Sequence, residues 1–338
     1  MIVFPDRAAF DAALANLPSP DLTTMAAASA RQASLTKPAG SLGRLEDIAV
    51  FLAGWQGCER PRADAVHAVV FAGNHGVAAH GVSAFPTEVT AQMVANFRQG
   101  GAAINALARA CGAELEVLAI DLDRPTADIT QAPAMTASEL LAALNVGASV
   151  VRDGIDILIV GEMGIANTTP AAALCAQAFG GTAADWVGRG SGVDDAAVRR
   201  KADAVTRALA LHGAECDGPF EMLRRLGGRE IAAMAGAMLA ARLRRVPVLL
   251  DGFICSAALA PLAAALPAAT GHCLAGHCSA EAAHGRLLGH LGLEPLLRLG
   301  MRLGEGSGAA VAAQVVRSAV AAHNGMATFA EAAVAGAL

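Results

Sequence analysis

The stretch Ile155-Asp156-Ile157-Leu158-Ile159-Val160 runs straight into Gly161-Glu162-Met163-Gly164. A short apolar run rich in branched side chains and stopped by glycine predicts a strand buried on both faces. The pattern recurs along the chain. Val66-His67-Ala68-Val69-Val70-Phe71 ends at Ala72-Gly73-Asn74-His75-Gly76, 115–120 ends at Asp121, and 246–250 ends at Asp251-Gly252. Helical segments separate these runs, among them 168–178, 196–212 and the small-sided 231–241. Alternation of this kind predicts an α/β fold with an open parallel sheet, flanking helices and right-handed crossovers. Ligands of such sheets bind beyond the carboxyl ends of the strands, where Glu162 and the glycines beside it would lie. Residues 126–137, with two prolines and little pattern, are expected to be an exposed loop.

Composition narrows the function. In 338 residues, 54% are hydrophobic and 16% charged, enough apolar material for one large domain with an annex, or two domains. Thirty acidic and twenty-five basic residues leave a formal charge of -5, and no Lys/Arg cluster marks a phosphate-backbone track, which argues against a nucleic-acid partner. Seven scattered cysteines with no CxxC pair fit a reducing cytoplasm. The N-terminal MIVFPDRAAFDAAL lacks the basic and apolar regions of a signal peptide. Residues 252–280 carry no formal charge, but Pro261, Pro267 and many weakly hydrophobic alanines argue against a membrane span.

One carboxylate stands out. Glu305 sits in Leu299-Gly300-Met301-Arg302-Leu303-Gly304-Glu305-Gly306-Ser307-Gly308, followed by an alanine-rich helical stretch. Glycines let a ligand approach closely, and partial desolvation makes a carboxylate a better proton acceptor once ionised. A solvent-facing helix-capping loop is the alternative. Gly188-Arg189-Gly190-Ser191-Gly192, ahead of a helix, reads as a phosphate loop or a plain turn. Lys201 follows on that helix, where a lone lysine is ordinarily solvated surface. Glu162 is either a site acid or a cap for the next helix, a role open also to Asn167, Thr168 and Thr169. The doubled Gly-His-Cys at 271–273 and 276–278 lacks a second ligand pair and is read as a turn in which Ser279 and backbone donors face a ligand, not as a metal site.

Taken together, KPAGSLGRLE, GNHGVAAHGVSAFPTEVTAQMV, GEMGIANTTPAAAL, VGRGSGVDD, LGGREIAAMAGAML, PVLLDGF, HCSAE and MRLGEGSGAA, in that order from about Lys37 to Gly308, resemble the nicotinate-nucleotide–dimethylbenzimidazole phosphoribosyltransferases of cobalamin nucleotide-loop assembly. The resemblance implies a Rossmann-like large domain over 60–295, a small helical domain built from 1–59 and 296–338, and a homodimer. It also implies transfer of 5-phosphoribose from nicotinate mononucleotide to 5,6-dimethylbenzimidazole without cofactor or metal. Carried onto this sequence, Glu305 matches the general base, and Glu162 and Lys201 match two further catalytic positions, one at the ribosyl transition state and one in site organisation. Gly188, Gly190, Ser191, Gly192, Ser279, Asn167, Thr168 and Asp251 fall with the phosphate and ribose; Phe85, Met93 and Met163 fall with the base. The chain departs from many members at Thr87 (Gln), Ala166 (Gly) and Ala282-Ala283 (Pro-Gly).

Two other readings compete. One is a nucleotide N-glycosidase using Glu162 and Glu305 as an acid/base pair. The other is a dinucleotide-binding module, which needs GxGxxG after the first strand, where the chain instead reads AGNHGVAAHG.

Overall fold

Strands form where the apolar runs predict them, and two more form where no run announces them. The computed structural model describes residues 2–190 and 192–335. Its strands are β1 (Val66–Ala72), β2 (Ala113–Ala119), β3 (Ile157–Met163), β4 (Val248–Leu250), β5 (Cys273–His277) and β6 (Pro295–Leu297). They make one sheet in the order β2-β1-β3-β4-β5-β6, with every pairing parallel. The chain steps outward from β1 to β2, then returns to β3 on the other side of β1. A crevice opens at such a reversal, beyond the strand ends.

Three expectations need correction. β3 starts at Ile157 and continues through Met163, so Glu162 belongs to the strand, paired with Phe71 of β1, and does not follow it. Asp156 instead ties the strand starts together, accepting the Asp64 and Ala65 N–H groups at 3.1 and 2.9 Å. The Gly-His-Cys segment is not simply a turn, because Cys273–His277 is β5. It lacks β-branched residues, and Gly276 lets the helix Ser307–Gly325 lie against it; a methyl there would be 2.9 Å from the Ala309 Cα. Residues 126–136 are irregular, as expected, but Ile129, Ala134 and Met135 are core residues, so the segment is not an exposed loop.

Each face of the sheet has its own apolar layer. On one face lie the helices Ala137–Ser149, Thr168–Phe179, Arg229–Leu243 and Phe253–Ala265. Small side chains bring the first and third of these together, since a methyl at Gly147 or Gly236 would strike the other helix's backbone. The helix Arg7–Ala15 joins this layer through Phe10, edge-on to Phe220 at 5.9 Å. On the opposite face, Ser307–Gly325, Arg44–Gln56 and Ala103–Cys111 cover Val66, Ile157, Ile159 and Leu249. There the two chain ends meet. Leu35 bridges Thr328, Arg31 donates to the carbonyls of His323 and Met326, and Gln32 bonds the His323 ring at 2.8 Å. Among the described residues no helix is long and apolar enough to cross a membrane.

Candidate active site

Beyond the carboxyl ends of β3, β4 and β5 lies a cavity of about 380 Å³. The strand ends supply its floor, and loops supply its walls. Glu162, Met163, Asn167 and Thr168 come from the end of β3 and the helix after it; Ser279 and Glu281 follow β5; Gly190 and Lys201 come from the glycine loop and its helix; Arg302 to Glu305 close one side. Phe85, Met93, Val82 and Val89 give the cavity an apolar part.

Glu305 is held by its backbone. Gly304, Glu305 and Gly306 have φ of 85°, 64° and 83°, three consecutive left-handed residues of which only the middle one bears a side chain. Glycine accommodates this conformation without cost, and Glu305 does not. Three contacts fix the turn. Glu305 N–H donates to the Glu162 carbonyl at 3.2 Å. Asp251 accepts the N–H groups of Gly306, Gly308 and Ala309 at 3.0, 2.7 and 3.1 Å. Gly161 passes directly beneath, where a Cβ would lie 2.5 Å from the Glu305 carbonyl carbon. The Glu305 side chain is 4% exposed, and its Oε2 has no hydrogen-bond partner. Burial pushes this carboxyl upward from its ordinary range, and the Asp251 charge adds to the effect.

Glu162 lies beside it, its carboxylate packed on Gly304. Burial, reinforced by the carboxylates of Asp251, Glu230 and Glu305, pushes its pKa up to about 8, against the opposing hydrogen bond from Asn167. At neutral pH Glu162 therefore rests largely protonated. It caps no helix. Asn167 occupies the N-cap position of Thr168–Phe179, but its side chain turns to donate to Glu162 Oε2 at 2.5 Å.

Lys201, 2% exposed, is not the solvated lysine its isolated position suggested. Its ammonium donates to Thr168 Oγ1 at 3.0 Å and to the Gly188 carbonyl at 3.1 Å, stapling the glycine loop to the helix after β3. Burial lowers its pKa. Ser279 is oriented by His284, whose Nδ1 lies 2.9 Å from both the backbone N and the Oγ of Ser279. Burial lowers the His284 pKa to about 4, so the ring is neutral; Nδ1 accepts, and Nε2–H faces Ser256 Oγ at 3.1 Å.

The structure thus brings Glu305, Glu162, Lys201, Gly190, Ser279, Asn167, Thr168, Phe85, Met93 and Met163 to one cavity. Gly188 and Gly192 lie in the loop behind Gly190 and do not line it. Ser191 is outside the described residues. Asp251 is placed differently from the expected phosphate or ribose contact. It is 1% exposed and spent on the three N–H groups under the Glu305 turn, with His277 Nε2 at 3.3 Å. Among the described residues no group of three or more His, Cys, Asp or Glu could hold a metal ion. His272 bonds the Met238 carbonyl at 2.9 Å.

Sequence reasoning passed over Glu281 and Arg302, which line the cavity, and the fully buried His75–Glu230 pair behind Glu162, whose side chains meet at 2.7 Å. The first had a signal. Glu281 is the charge that ends the uncharged run 252–280, and it arrives two residues after Ser279.

An open parallel sheet with two buried carboxylates, a buried lysine and a glycine loop at its carboxyl edge defines an α/β enzyme. A family model described as Phosphoribosyltransferase matches residues 17–334, and the chain belongs to that family. Among its relatives, a protein of Novosphingobium aromaticivorans is 66% identical over 98% of both chains, and one of Ruegeria pomeroyi is 60% identical over 97% of both. Both are named nicotinate-nucleotide–dimethylbenzimidazole phosphoribosyltransferase. The solved structure of CobT from Thermus thermophilus superposes with a TM-score of 0.87 at 41% identity, covering 93% of this chain and all of that one.

Proposed function

We propose that the protein transfers 5-phosphoribose from nicotinate mononucleotide to 5,6-dimethylbenzimidazole, giving α-ribazole 5′-phosphate and nicotinate for the nucleotide loop of cobalamin. The names of relatives at 60% identity and above support the substrates. The observation that carries the chemistry is Glu305, a buried carboxyl with an unpartnered Oε2, in the lining of a cavity that also holds the apolar side chains Val82, Phe85, Val89 and Met93.

In this reading Glu305 takes the benzimidazole N–H proton, and the other ring nitrogen attacks C1′ with inversion. The bond from C1′ to the pyridinium nitrogen breaks, its electron pair goes to that nitrogen, and nicotinate leaves with a neutral ring. Glu162, once ionised by the cationic nucleotide, stabilises the positive charge developing at C1′. Lys201 holds the glycine loop that receives the phosphate together with Ser279. No step needs a metal or a redox cofactor.

The same reading implies a homodimer, supported by the exposed Phe85 and Leu303 at the cavity mouth, and a cytoplasmic enzyme, supported by seven free cysteines. It divides the chain into 60–295 and a helical unit from 1–59 and 296–338. The contacts of Arg31 and Gln32 with the C-terminal segment support that division, while Arg7–Ala15 packs on the larger unit.

Product analysis tests the function. Purified protein with nicotinate mononucleotide should release nicotinate in step with α-ribazole 5′-phosphate, and only with the base present. Nicotinate released equally fast without a base would establish a glycosidase instead.

A further inference from the structure

Backbone N–H groups of a glycine-rich loop make an anion site, and here the loop already holds an anion of the protein's own. Gly190 N–H donates to Glu281 Oε2 at 3.0 Å. Glu281 Oε1 is packed on Gly188, in space that a methyl at that position would fill, and it has no hydrogen-bond donor. Close by are the groups that suit a phosphate. A Cβ at Gly190 would be 3.1 Å from Lys201 Nζ, and Arg302 Nη1 lies 3.4 Å from the Gly190 carbonyl. Ser279 precedes Glu281 by two residues on the same loop. Glu281 therefore sits among the phosphate-binding groups with only half of its carboxylate satisfied. The Lys201 ammonium also senses it, because the Glu281 charge opposes the lowering that burial imposes.

We propose that Glu281 is a built-in competitor for the 5′-phosphate subsite, filling the glycine loop in the empty enzyme and leaving it when a phosphorylated ligand enters. The proposal rests on the phosphoribosyl-transfer reading above. Two anions do not share one recess, since like charges at contact distance repel strongly where water is scarce. Every phosphate must then displace a charge-assisted hydrogen bond. A nucleotide has its ring and ribose contacts to offset that cost, whereas inorganic phosphate has none. Glu281 thereby keeps free phosphate out and loosens the phosphorylated product.

The test compares wild type with Glu281→Gln, which removes the charge, and Glu281→Ala, which removes the contact; circular dichroism checks that each folds. Isothermal titration with inorganic phosphate should show binding tightened by about tenfold in both variants, the scale of one charge-assisted hydrogen bond, with KM for nicotinate mononucleotide falling in parallel. Affinity for 5,6-dimethylbenzimidazole, which in this reading meets Phe85 and Met93, should not move. Phosphate affinity that is unchanged or weaker in the variants overturns the proposal and makes Glu281 a brace for the loop. If the wild type turns over no nucleotide at all, the transfer reading fails, while the phosphate titration still decides the role of Glu281.

Discussion

Replacing Glu162 with glutamine should make the protein more stable as pH rises, while its activity falls. The folded chain resists ionising this carboxyl, raising its pKa from 4.5 to about 8. Below pH 4.5 the group is neutral in both folded and unfolded chains and has no effect on the pH dependence. Between 4.5 and 8 the unfolded chain ionises while the folded one stays protonated, so stability is lost with rising pH at about 1.4 kcal/mol per unit. Above the folded pKa the loss levels off at roughly 4–5 kcal/mol. Glutamine keeps the shape, and its amide oxygen can still accept from Asn167 Nδ2, but it never ionises. Urea unfolding of both proteins at pH 5, 7 and 9 isolates the effect, because the other buried acids remain in both. The variant's stability relative to wild type should rise by several kcal/mol between pH 5 and pH 9, flattening above pH 8. A difference that stays constant across this range, or falls, would refute the claim that Glu162 rests protonated under Asp251, Glu230 and Glu305.

Three further outcomes follow from the same geometry. Gly161→Ala places a methyl 2.5 Å from the Glu305 carbonyl carbon and should cost about 1–3 kcal/mol of stability, with kcat lowered more than KM is raised; normal kinetics would show that the Glu305 turn tolerates displacement. Ala166 holds a φ of 74° without being glycine, so Ala166→Gly should raise unfolding stability by up to about 1 kcal/mol, the relief of left-handed strain less the added freedom of the unfolded chain. Nicotinate mononucleotide carries a pyridinium cation that favours ionised Glu162, so its binding at pH 7 should release up to about one proton. Calorimetric enthalpy measured in buffers of different ionisation heat will read that number, and Glu162→Gln should abolish most of it.

The sheet was legible because β1 and β3 are buried on both faces and therefore written almost wholly in apolar residues, His67 and Glu162 being the exceptions. β5 was not, since its residues Cys273 to His277 include a glycine where a helix lies close and contain no β-branched side chain. The catalytic candidates were visible as misfits: Glu305 among glycines, and Glu162 closing an apolar run. Their supports were hidden. Asp251 looks like a strand-end acid, and nothing nearby in sequence indicates that it binds N–H groups 55 to 58 residues further on. Lys201 and Glu281 likewise take their meaning from a loop that only the folded chain brings to them. Charge partners separated by whole βα units leave no periodic trace in a sequence.

Glu305 is proposed as the proton acceptor that activates the incoming base. This role is tested most directly by the turnover of Glu305→Gln, followed as α-ribazole 5′-phosphate formed from nicotinate mononucleotide and 5,6-dimethylbenzimidazole. The expected result is a fall in kcat on the order of 10²–10⁴-fold with circular dichroism and nucleotide affinity close to wild type. A variant that folds, binds the nucleotide and turns over at near the wild-type rate would contradict it.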